Sequence, residues 1–185
     1  MKLIIFRHGQ TDATKEKVLH SRTDTLLNEE GALQAKNLGE MLIASGVRFS
    51  AVFASPLHRA LKTAEIVAEP HNIEVLIRDE LIEANLGEAE HVSYDEFFSK
   101  YHGAYHLPED VGEEHPDFYD SKIPGGESRR EVLERWNTFI DSIKGLPLEV
   151  VGVGTHYCVM FALYYHYFKK HPWEFKNCDY FEVEI

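Results

Sequence analysis

Cysteine is scarce in this sequence: its 185 residues include only Cys158 and Cys178, without a CxxC spacing. Neither a zinc knuckle nor a redox pair is therefore indicated, and reduced thiols are expected. Long apolar runs are also missing. The run at the N-terminus has four residues and ends at Arg7, which is too short for the apolar part of a signal peptide, and no other run approaches a membrane span. We therefore expect a cytoplasmic protein without a membrane partner.

Positive charge is in short supply as well. The chain has 19 Lys and Arg against 31 Asp and Glu, a formal net charge of −12. This balance disfavours nucleic acid and anionic membranes as partners, so any anionic ligand must be held by a few local cations. The contents of 44% hydrophobic and 12% aromatic residues exclude disorder, and the length suits a single domain over residues 1–185.

What the sequence does contain is a buried strand that ends in charged residues. Residues 3–6 are consecutive apolar side chains, two of them β-branched, and predict a strand buried on both faces. Arg7, His8 and Gly9 follow directly. Because ligands bind at the carboxyl ends of strands in open α/β sheets, this pair is better placed for chemistry than for packing. The alternative is a strand that simply ends in a solvated arginine and a surface histidine. Gly9 allows the sharp turn or close backbone approach that a bound anion needs.

Two further strands deliver ionisable residues in the same way. After the apolar run 51–54, Ser55 and Pro56 predict the N-cap and first position of a helix. Arg59 then lies in the first helical turn, where free backbone N–H groups favour an anion. The strand-like run 148–153 is followed closely by His156.

Strands and helices alternate along the chain. The alternation predicts an α/β fold, a three-layer α/β/α sandwich with a mostly parallel sheet. The predicted strands are 3–6, 51–54, 73–77, 148–153 and an edge strand 178–185; the predicted helices are 29–44 after the N-cap Asn28, one from Ser55, one from Ser128 with a capping box to Glu131, and 157–168.

Residues 85–123 break this alternation and predict a small cap insertion over the carboxyl edge of the sheet. They contain ten acidic residues, two lysines and seven aromatic residues, with a helix predicted after Ser93. The acids are more often a solvated surface than a recognition device, and the aromatics more often a satellite core than a binding platform. His102 and His106 have the spacing of metal ligands on a helix, but a glycine and a proline nearby argue against a helix, so no metal site is expected.

Two arginines and two histidines thus converge at strand ends. Guanidinium groups bind phosphate bidentately and stay charged, so this set suits a tetrahedral oxyanion. No Walker loop or dinucleotide-binding glycine fingerprint is present, which leaves a phosphate handled without a nucleotide-type cradle. A histidine whose second ring nitrogen donates to a carbonyl is a competent nucleophile toward phosphorus. An acid is also needed for the leaving oxygen, and the candidates are Asp79, Glu80, Glu83, Glu88 and Glu90.

These residues resemble the motifs of the histidine phosphatase superfamily, also called phosphoglycerate mutase-like. Its Arg-His-Gly motif matches residues 7–9, and its Ser-Pro-x-x-Arg-Ala-x-x-Thr-Ala motif matches 55–64. Its acid-x-x-x-Gly motif matches 83–87, its Pro-Gly-Gly-Glu-Ser turn matches 124–128, and its late histidine matches His156. Together the motifs span nearly the whole chain in the order of the family.

The resemblance implies a role for each of these residues. His8 is the nucleophile that becomes phosphohistidine, and Arg7, Arg59 and a protonated His156 hold the phosphoryl oxygens. Glu83 gives a proton to the leaving group and then acts as base for the incoming water. No metal and no cofactor is implied.

The resemblance also implies a substrate-binding set, which departs from the family pattern at three positions. The set is Gln10, Thr14, His20, Ser21 and Tyr157. Thr14 stands where the family usually has Asn, and Ser21 and Tyr157 stand where it usually has Gly. The two hydroxyls and the Tyr157 amide can still face a phosphate, while the Tyr157 ring can narrow the mouth of the pocket.

Hydrolysis is favoured over phosphoryl transfer between substrates. The mutases of the family carry a longer insert, lack the turn 125–128 and need cations for a substrate carboxylate, whereas residues 85–123 supply only Lys100 and Lys122. Two lysines against ten acids give this segment a net charge of −8, which disfavours bisphosphates. We predict a metal-independent phosphatase for a small phosphomonoester, such as a nucleoside-like or sugar phosphate. A phosphoglycerate mutase-type transferase and a non-catalytic phospho-ligand binder are the alternatives, and the oligomeric state is left open.

Overall fold

The computed structural model describes residues 1–101, 116–170 and 174–185, so the hypothesis about His102 and His106 lies outside the described residues. The strands in these ranges are β1 (Lys2–Arg7), β2 (Ala51–Ala54), β3 (Val75–Ile77), β4 (Val150–Thr155) and β5 (Tyr180–Glu184). The helices are α1 (Asp12–Lys15), α2 (Glu29–Ala44), α3 (His58–Ala68), α4 (Tyr94–Tyr101), α5 (Pro116–Asp120), α6 (Arg129–Ile143) and α7 (Tyr157–Phe168). None of these helices combines the length and the apolar character needed to cross a membrane.

The five strands form one sheet in the order β3-β2-β4-β1-β5. β3, β2, β4 and β1 run parallel, and β5 pairs antiparallel with β1 at the edge. In the register, Ile5 lies opposite Val153 of β4 on one side and Phe181 of β5 on the other. The predicted α/β class, the mostly parallel sheet and the edge position of the last strand are confirmed.

β1 shows how the sheet divides the core. Its side chains alternate: Ile4 and Phe6 pack with α2 and α3 on one face, and Leu3 and Ile5 pack with α6 and α7 on the other. All four are fully buried, as the uninterrupted apolar run predicts. Helices on both faces confirm the three-layer sandwich.

Helix ends follow the local capping signals in two cases. The Asn28 side chain accepts the Gly31 N–H at 2.9 Å, and α2 has the predicted bounds. Ser128 and Glu131 form the predicted capping box at the start of α6. Because α7 is apolar nearly all round, it is buried, and it also has the predicted bounds.

The start of α3 differs from the prediction, because Ser55 is not its N-cap. The helix begins at His58, and Leu57 in the N-cap position makes no side-chain capping bond. Asp24, from a distant loop, accepts the His58 N–H at 2.8 Å instead. Because Asp24 caps the helix, the Ser55 hydroxyl does not have to do so and can bind another residue.

Strand bounds also shift by a few residues from the predicted ones. β3 is shorter than predicted and begins at Val75, while β4 is displaced to Val150–Thr155. Thr155 is therefore the last residue of a strand, and His156 follows it directly.

The described parts of residues 85–123 include α4, which begins after Ser93 as predicted, and α5. Tyr101 is buried in a small cluster with Leu86, Ala89 and Ile123. Phe118 is buried against α7. These two aromatic side chains therefore pack as satellite cores, whereas Phe98 is 59% exposed.

Candidate active site

The carboxyl ends of three neighbouring strands, β2, β4 and β1, carry the candidate residues. Arg7 ends β1 and pairs in register with Thr155 of β4, so the residues after them, His8 and His156, lie side by side. Their ring centroids are 5.3 Å apart. Ser55 follows β2 on the other side of β4. The parallel sheet thus collects side chains that are far apart in sequence.

His8 is buried in a neutral form with a defined tautomer. Its Nδ1 lies 2.7 Å from the carbonyl oxygen of Gly9. A carbonyl can only accept, so Nδ1 carries the hydrogen and Nε2 keeps its lone pair. Burial, followed by the charges of Arg7 and Arg59, holds the pKa of His8 well below its usual value. The Asn177 side chain donates to the His8 carbonyl at 3.1 Å and fixes the backbone.

Arg7 is buried against an aromatic side chain. Its Nη1 donates to the Phe175 carbonyl at 2.5 Å, and its guanidinium lies 5.1 Å from the centroid of the Tyr157 ring. Its Nε is buried with no hydrogen-bond partner among the described residues. The Tyr157 ring is therefore packed on Arg7, and burial raises the pKa of Tyr157 to about 12.

Arg59 is 1% exposed and is bound to the loop that precedes α2. It donates to the carbonyl oxygens of His20 at 3.1 Å, Ser21 at 2.8 Å and Thr23 at 2.9 Å. Burial lowers the pKa of Arg59 from its usual value, and Glu83 opposes this shift. The guanidinium stays charged because its usual pKa is so high.

His156 is buried between Ser55 and His8. Its Nε2 lies 2.7 Å from the Ser55 hydroxyl, which also accepts the Leu57 N–H at 3.3 Å. Its Nδ1 is buried and has no hydrogen-bond partner in the described part of the chain. Burial, followed by the charge of Arg59, holds the pKa of His156 well below its usual value. Burial and the neighbouring guanidinium therefore both oppose the protonated form of His156 that the resemblance implies.

Glu83 is buried at the N-terminus of α7. Its carboxylate accepts N–H groups of Ala84 at 2.8 Å and of Cys158 and Val159 at 3.3 Å. Burial raises the pKa of Glu83, although the Ala84 amide and the nearby Arg59 work in the opposite direction. A carboxyl group with a raised pKa is suited to donate a proton near neutral pH.

The other acidic candidates have different surroundings from those of Glu83. Asp79 and Glu88 are exposed, and Glu80 is half-buried. Glu90 binds backbone amides of residues 21–23. Glu83 is thus the candidate with a buried carboxyl group next to the first turn of α7.

Besides Tyr157, the other four members of the expected substrate-binding set also contact residues of the protein. The Thr14 hydroxyl donates to the Thr11 carbonyl, and the Gln10 side chain accepts from the Asn28 amide. The Ser21 hydroxyl donates to Glu90. The His20 ring lies 4.8 Å from that of His91, with its Nδ1 buried and unpartnered among the described residues.

Gly9 is needed for a backbone contact that the sequence does not reveal. A Cβ atom there would lie 2.4 Å from the Gly31 carbonyl oxygen, so the missing side chain lets the first turn of α2 approach β1. The Gly9 N–H donates to the Thr63 hydroxyl at 2.9 Å. The close approach at Gly9 in this structure is therefore that of the α2 backbone at Gly31.

Sequence reasoning did not identify Ser55 or Asn177 as partners of the two histidines. The local sequence predicts a helix cap at Ser55, and nothing in it distinguishes Asn177 from any loop asparagine. Only the hydrogen-bond positions opposite His156 and His8 reveal them.

The assembled groups suit a tetrahedral oxyanion. The His8 ring lies near Arg7, Arg59 and His156. Buried donor atoms on Arg7 and His156 lack protein partners in the described ranges. Over the same residues, no group of three or more His, Cys, Asp or Glu side chains is placed to hold a metal ion.

Known proteins are similar to this chain in sequence and in fold. Phosphoserine phosphatase 1 of Hydrogenobacter thermophilus is 30% identical over 165 residues, which cover 89% of this chain and 74% of that protein. Phosphoglycerate mutase-like protein 4 of Arabidopsis thaliana is 32% identical over 169 residues, which cover 88% and 69%. A mycobacterial glucosyl-3-phosphoglycerate phosphatase has the same fold, with a TM-score of 0.83 at 23% identity over 99% of this chain and 92% of that one. Residues 3–185 match the profile of the histidine phosphatase superfamily (branch 1), and the chain therefore belongs to that superfamily.

Proposed function

We propose that this protein is a metal-independent phosphomonoesterase that works through a phosphohistidine on His8. Nε2 of His8 attacks phosphorus while the bond to the leaving oxygen breaks, and the Glu83 carboxyl group gives its proton to that oxygen. In the second step, water attacks phosphorus and gives a proton to the Glu83 carboxylate. The N–P bond then breaks, and inorganic phosphate leaves.

The observation that carries the proposal is the state of His8 and its neighbours. Its lone pair is on Nε2, the reactive form is favoured by burial, and the unpartnered donors Arg7 Nε and His156 Nδ1 lie at the same strand ends. Such pre-oriented donors stabilise the charge on phosphoryl oxygens in the transition state. A neutral His156 serves here, with hydrogen on Nδ1 and the Ser55 hydroxyl donating to Nε2.

The described cations of residues 85–123 support hydrolysis over a mutase reaction. Lys122 is bound to Glu131 at 3.1 Å, and the Lys100 ammonium lies 4.9 Å from the centroid of the Tyr101 ring. Each is thus engaged by a neighbour, whereas a mutase needs cations to hold the second anionic group of its substrate. Phosphatases among the similar proteins support the same choice. Phosphoglycerate mutase-type transfer is the second candidate, favoured by the mutase-like relative.

We further propose a substrate with one phosphate and a neutral or cationic leaving group. The acidic segment 85–123 repels further negative charge, and its net charge of −8 attracts a cation. O-phosphoserine carries an ammonium group, and it is among the test substrates because one similar protein is called phosphoserine phosphatase 1. A panel of O-phosphoserine, sugar monophosphates, a nucleoside monophosphate, phosphoglycerate and fructose bisphosphate tests the idea, and a preference for either of the last two would overturn it.

The activity test uses p-nitrophenyl phosphate with a chelator present throughout. His8→Ala should lower turnover by about 1000-fold or more, because the attacking atom is lost. The matched control is His58→Ala, which removes an exposed imidazole and should leave turnover unchanged. Loss of activity on chelation would contradict metal independence.

Mass spectrometry tests the phosphohistidine intermediate independently of the turnover measurement. Rapidly quenched wild-type protein should show a phosphate adduct on His8 by mass spectrometry, and His8→Ala should show none. Turnover without an adduct would contradict the intermediate. Phosphate binding without turnover of any ester would instead favour a non-catalytic binder, and transfer between phosphoglycerates without hydrolysis would favour a mutase.

A further inference from the structure

The loop residues 20–23 lie between two oppositely charged side chains. On one side, Arg59 donates to the carbonyl oxygens of His20, Ser21 and Thr23, at 2.8 to 3.1 Å. On the other side, the Glu90 carboxylate accepts the N–H groups of Ser21 and Thr23, each at 3.1 Å. We call these four residues the 20–23 turn. Its peptide groups point their positive ends at the carboxylate and their negative ends at the guanidinium.

Side chains rather than backbone pairing hold this turn in place. Residues 20–27 make no backbone-to-backbone hydrogen bond with any described residue; the pairing stops at Leu19, which bonds with Val92, and resumes at Asn28, which bonds with Gln10. The conformation of the turn therefore depends on Glu90 and Arg59. Removing either side chain leaves backbone groups of the turn, most of them part-buried, without these partners.

Glu90 is firmly ionised in this position. The Ser21 hydroxyl donates to it as well, and the same hydroxyl accepts the Leu86 N–H at 3.2 Å. Burial alone would raise the pKa of Glu90, but the hydrogen bonds from Ser21 and Thr23 outweigh it and lower that pKa to about 2. The carboxylate thus acts as an acceptor and not as a proton donor.

We propose that Glu90 is a positioning residue for Arg59. It fixes the 20–23 turn through the amide groups, and the carbonyl groups of the turn fix the guanidinium beside His8. The inference rests on the proposed function, in which Arg59 holds the phosphoryl group. It also accounts for Ser21, whose hydroxyl adds a bond to Glu90 where a glycine has none.

A double-mutant cycle tests the proposal, with inorganic phosphate as the probe in calorimetry and p-nitrophenyl phosphate in kinetics. Glu90→Gln keeps the shape of the side chain but loses the charge and presents an NH₂ group to the turn amides. It should weaken phosphate binding by about 10- to 100-fold. The matched control Glu96→Gln, at an exposed position of α4, should change binding by less than about twofold.

The decisive comparison uses Arg59→Gln as the background. If Glu90 acts through Arg59, adding Glu90→Gln there should weaken phosphate binding by less than about threefold. The proposal would be overturned if Glu90→Gln weakened phosphate binding by the same factor in the Arg59→Gln background as in the wild type. It would also be overturned if Glu90→Gln bound phosphate as well as Glu96→Gln does. Since a variant that merely loosens the fold would lose binding in both backgrounds, the cycle separates positioning from stability.

Ser21→Ala provides a milder second test if Glu90→Gln does not fold. Loss of the hydroxyl should weaken phosphate binding by about two- to tenfold, and the effect should disappear in the Arg59→Gln background. Equal effects in both backgrounds would refute the coupling. Phosphate binding needs no turnover, so a wild-type protein that binds phosphate without hydrolysing esters would refute the proposed function and leave this cycle readable. A wild-type protein that does not bind phosphate would overturn both.

Discussion

Ionisable side chains have different surroundings at the carboxyl ends of β1, β2 and β4 and in residues 85–123. At the strand ends, His8, Arg59 and His156 are buried, and the pKa of each is lowered by burial. In the described part of residues 85–123, by contrast, charged side chains at the surface pair with neighbours, as Asp120 does with Arg130. Burial makes ionisable groups reactive, whereas surface pairs contribute little energy. The two regions thus differ in whether their ionisable side chains are shielded from solvent.

The largest effect is expected from a substitution at Gly9, which follows His8 in the chain. Gly9→Ala places a Cβ atom 2.4 Å from the Gly31 carbonyl oxygen, so α2 must move away from β1. We expect a loss of about 3 kcal/mol or more in the free energy of unfolding, measured by urea denaturation. Gly145→Ala is the control, because nothing lies within 4 Å of its Cβ position. Equal stability of the two variants would show that α2 and β1 can separate at little cost.

The next effect isolates proton donation at the strand ends. Glu83→Gln cannot give a proton, so hydrolysis of an alkyl phosphate should fall by about 100- to 10,000-fold. The fall should be much smaller with p-nitrophenyl phosphate, whose leaving group needs little protonation. Turnover numbers for the two esters measure the difference, with Glu96→Gln as the unaffected control. An equal fall for both esters would mean that Glu83 has a structural role only.

The pH dependence of kcat/KM tests the shifted pKa values of His8 and Glu83. The pKa of His8 is lowered from 6.5, so its reactive neutral form persists below that pH; the pKa of Glu83 is raised from 4.5, so its acid form persists above that pH. We therefore expect kcat/KM, corrected for substrate ionisation, to fall on the acid side only below pH 6.5. It should fall on the basic side as Glu83 ionises, and Glu83→Gln should remove that basic limb. An acid limb above the usual histidine pKa would show that His8 is not desolvated.

A smaller effect is expected from the partner of His156. Ser55→Ala removes the hydroxyl bound to Nε2, which should weaken phosphate binding by about two- to tenfold. In the same variant, nitrogen NMR shifts of His156 should report a loss of the single tautomer. Ser99→Ala, at an exposed position, is the control. Unchanged binding and an unchanged tautomer would mean that β-strand packing alone orients the ring.

The smallest effect concerns the charge of residues 85–123. Raising the salt concentration screens its net charge of −8, so KM for a bisphosphate should fall by about two- to threefold. KM for p-nitrophenyl phosphate, with one phosphate, should change less. A salt response that is the same for both substrates would show that the segment does not act on the charge of the substrate.

Much of the fold could be predicted from the sequence because it depends on local patterns. The apolar run of β1 and the helices after Asn28 and Ser128 follow from burial and capping within a few residues. The clustering of Arg7, His8 and His156 also follows, since parallel strands end at one edge of a sheet. Strand bounds were less accurate, because β4 pairs with β1 and β2 over residues that its own apolar pattern does not mark.

The sequence by itself determined the α/β class, the order of the motifs and the residues gathered at the strand ends. Only the tertiary structure decided what those residues do to one another. Ser55 became the partner of His156, 101 positions away, and Glu90 became the anchor of Ser21, 69 positions away. Hydrogen bonds and burial between distant residues set tautomers and pKa values, and neither can be inferred from neighbours along the chain.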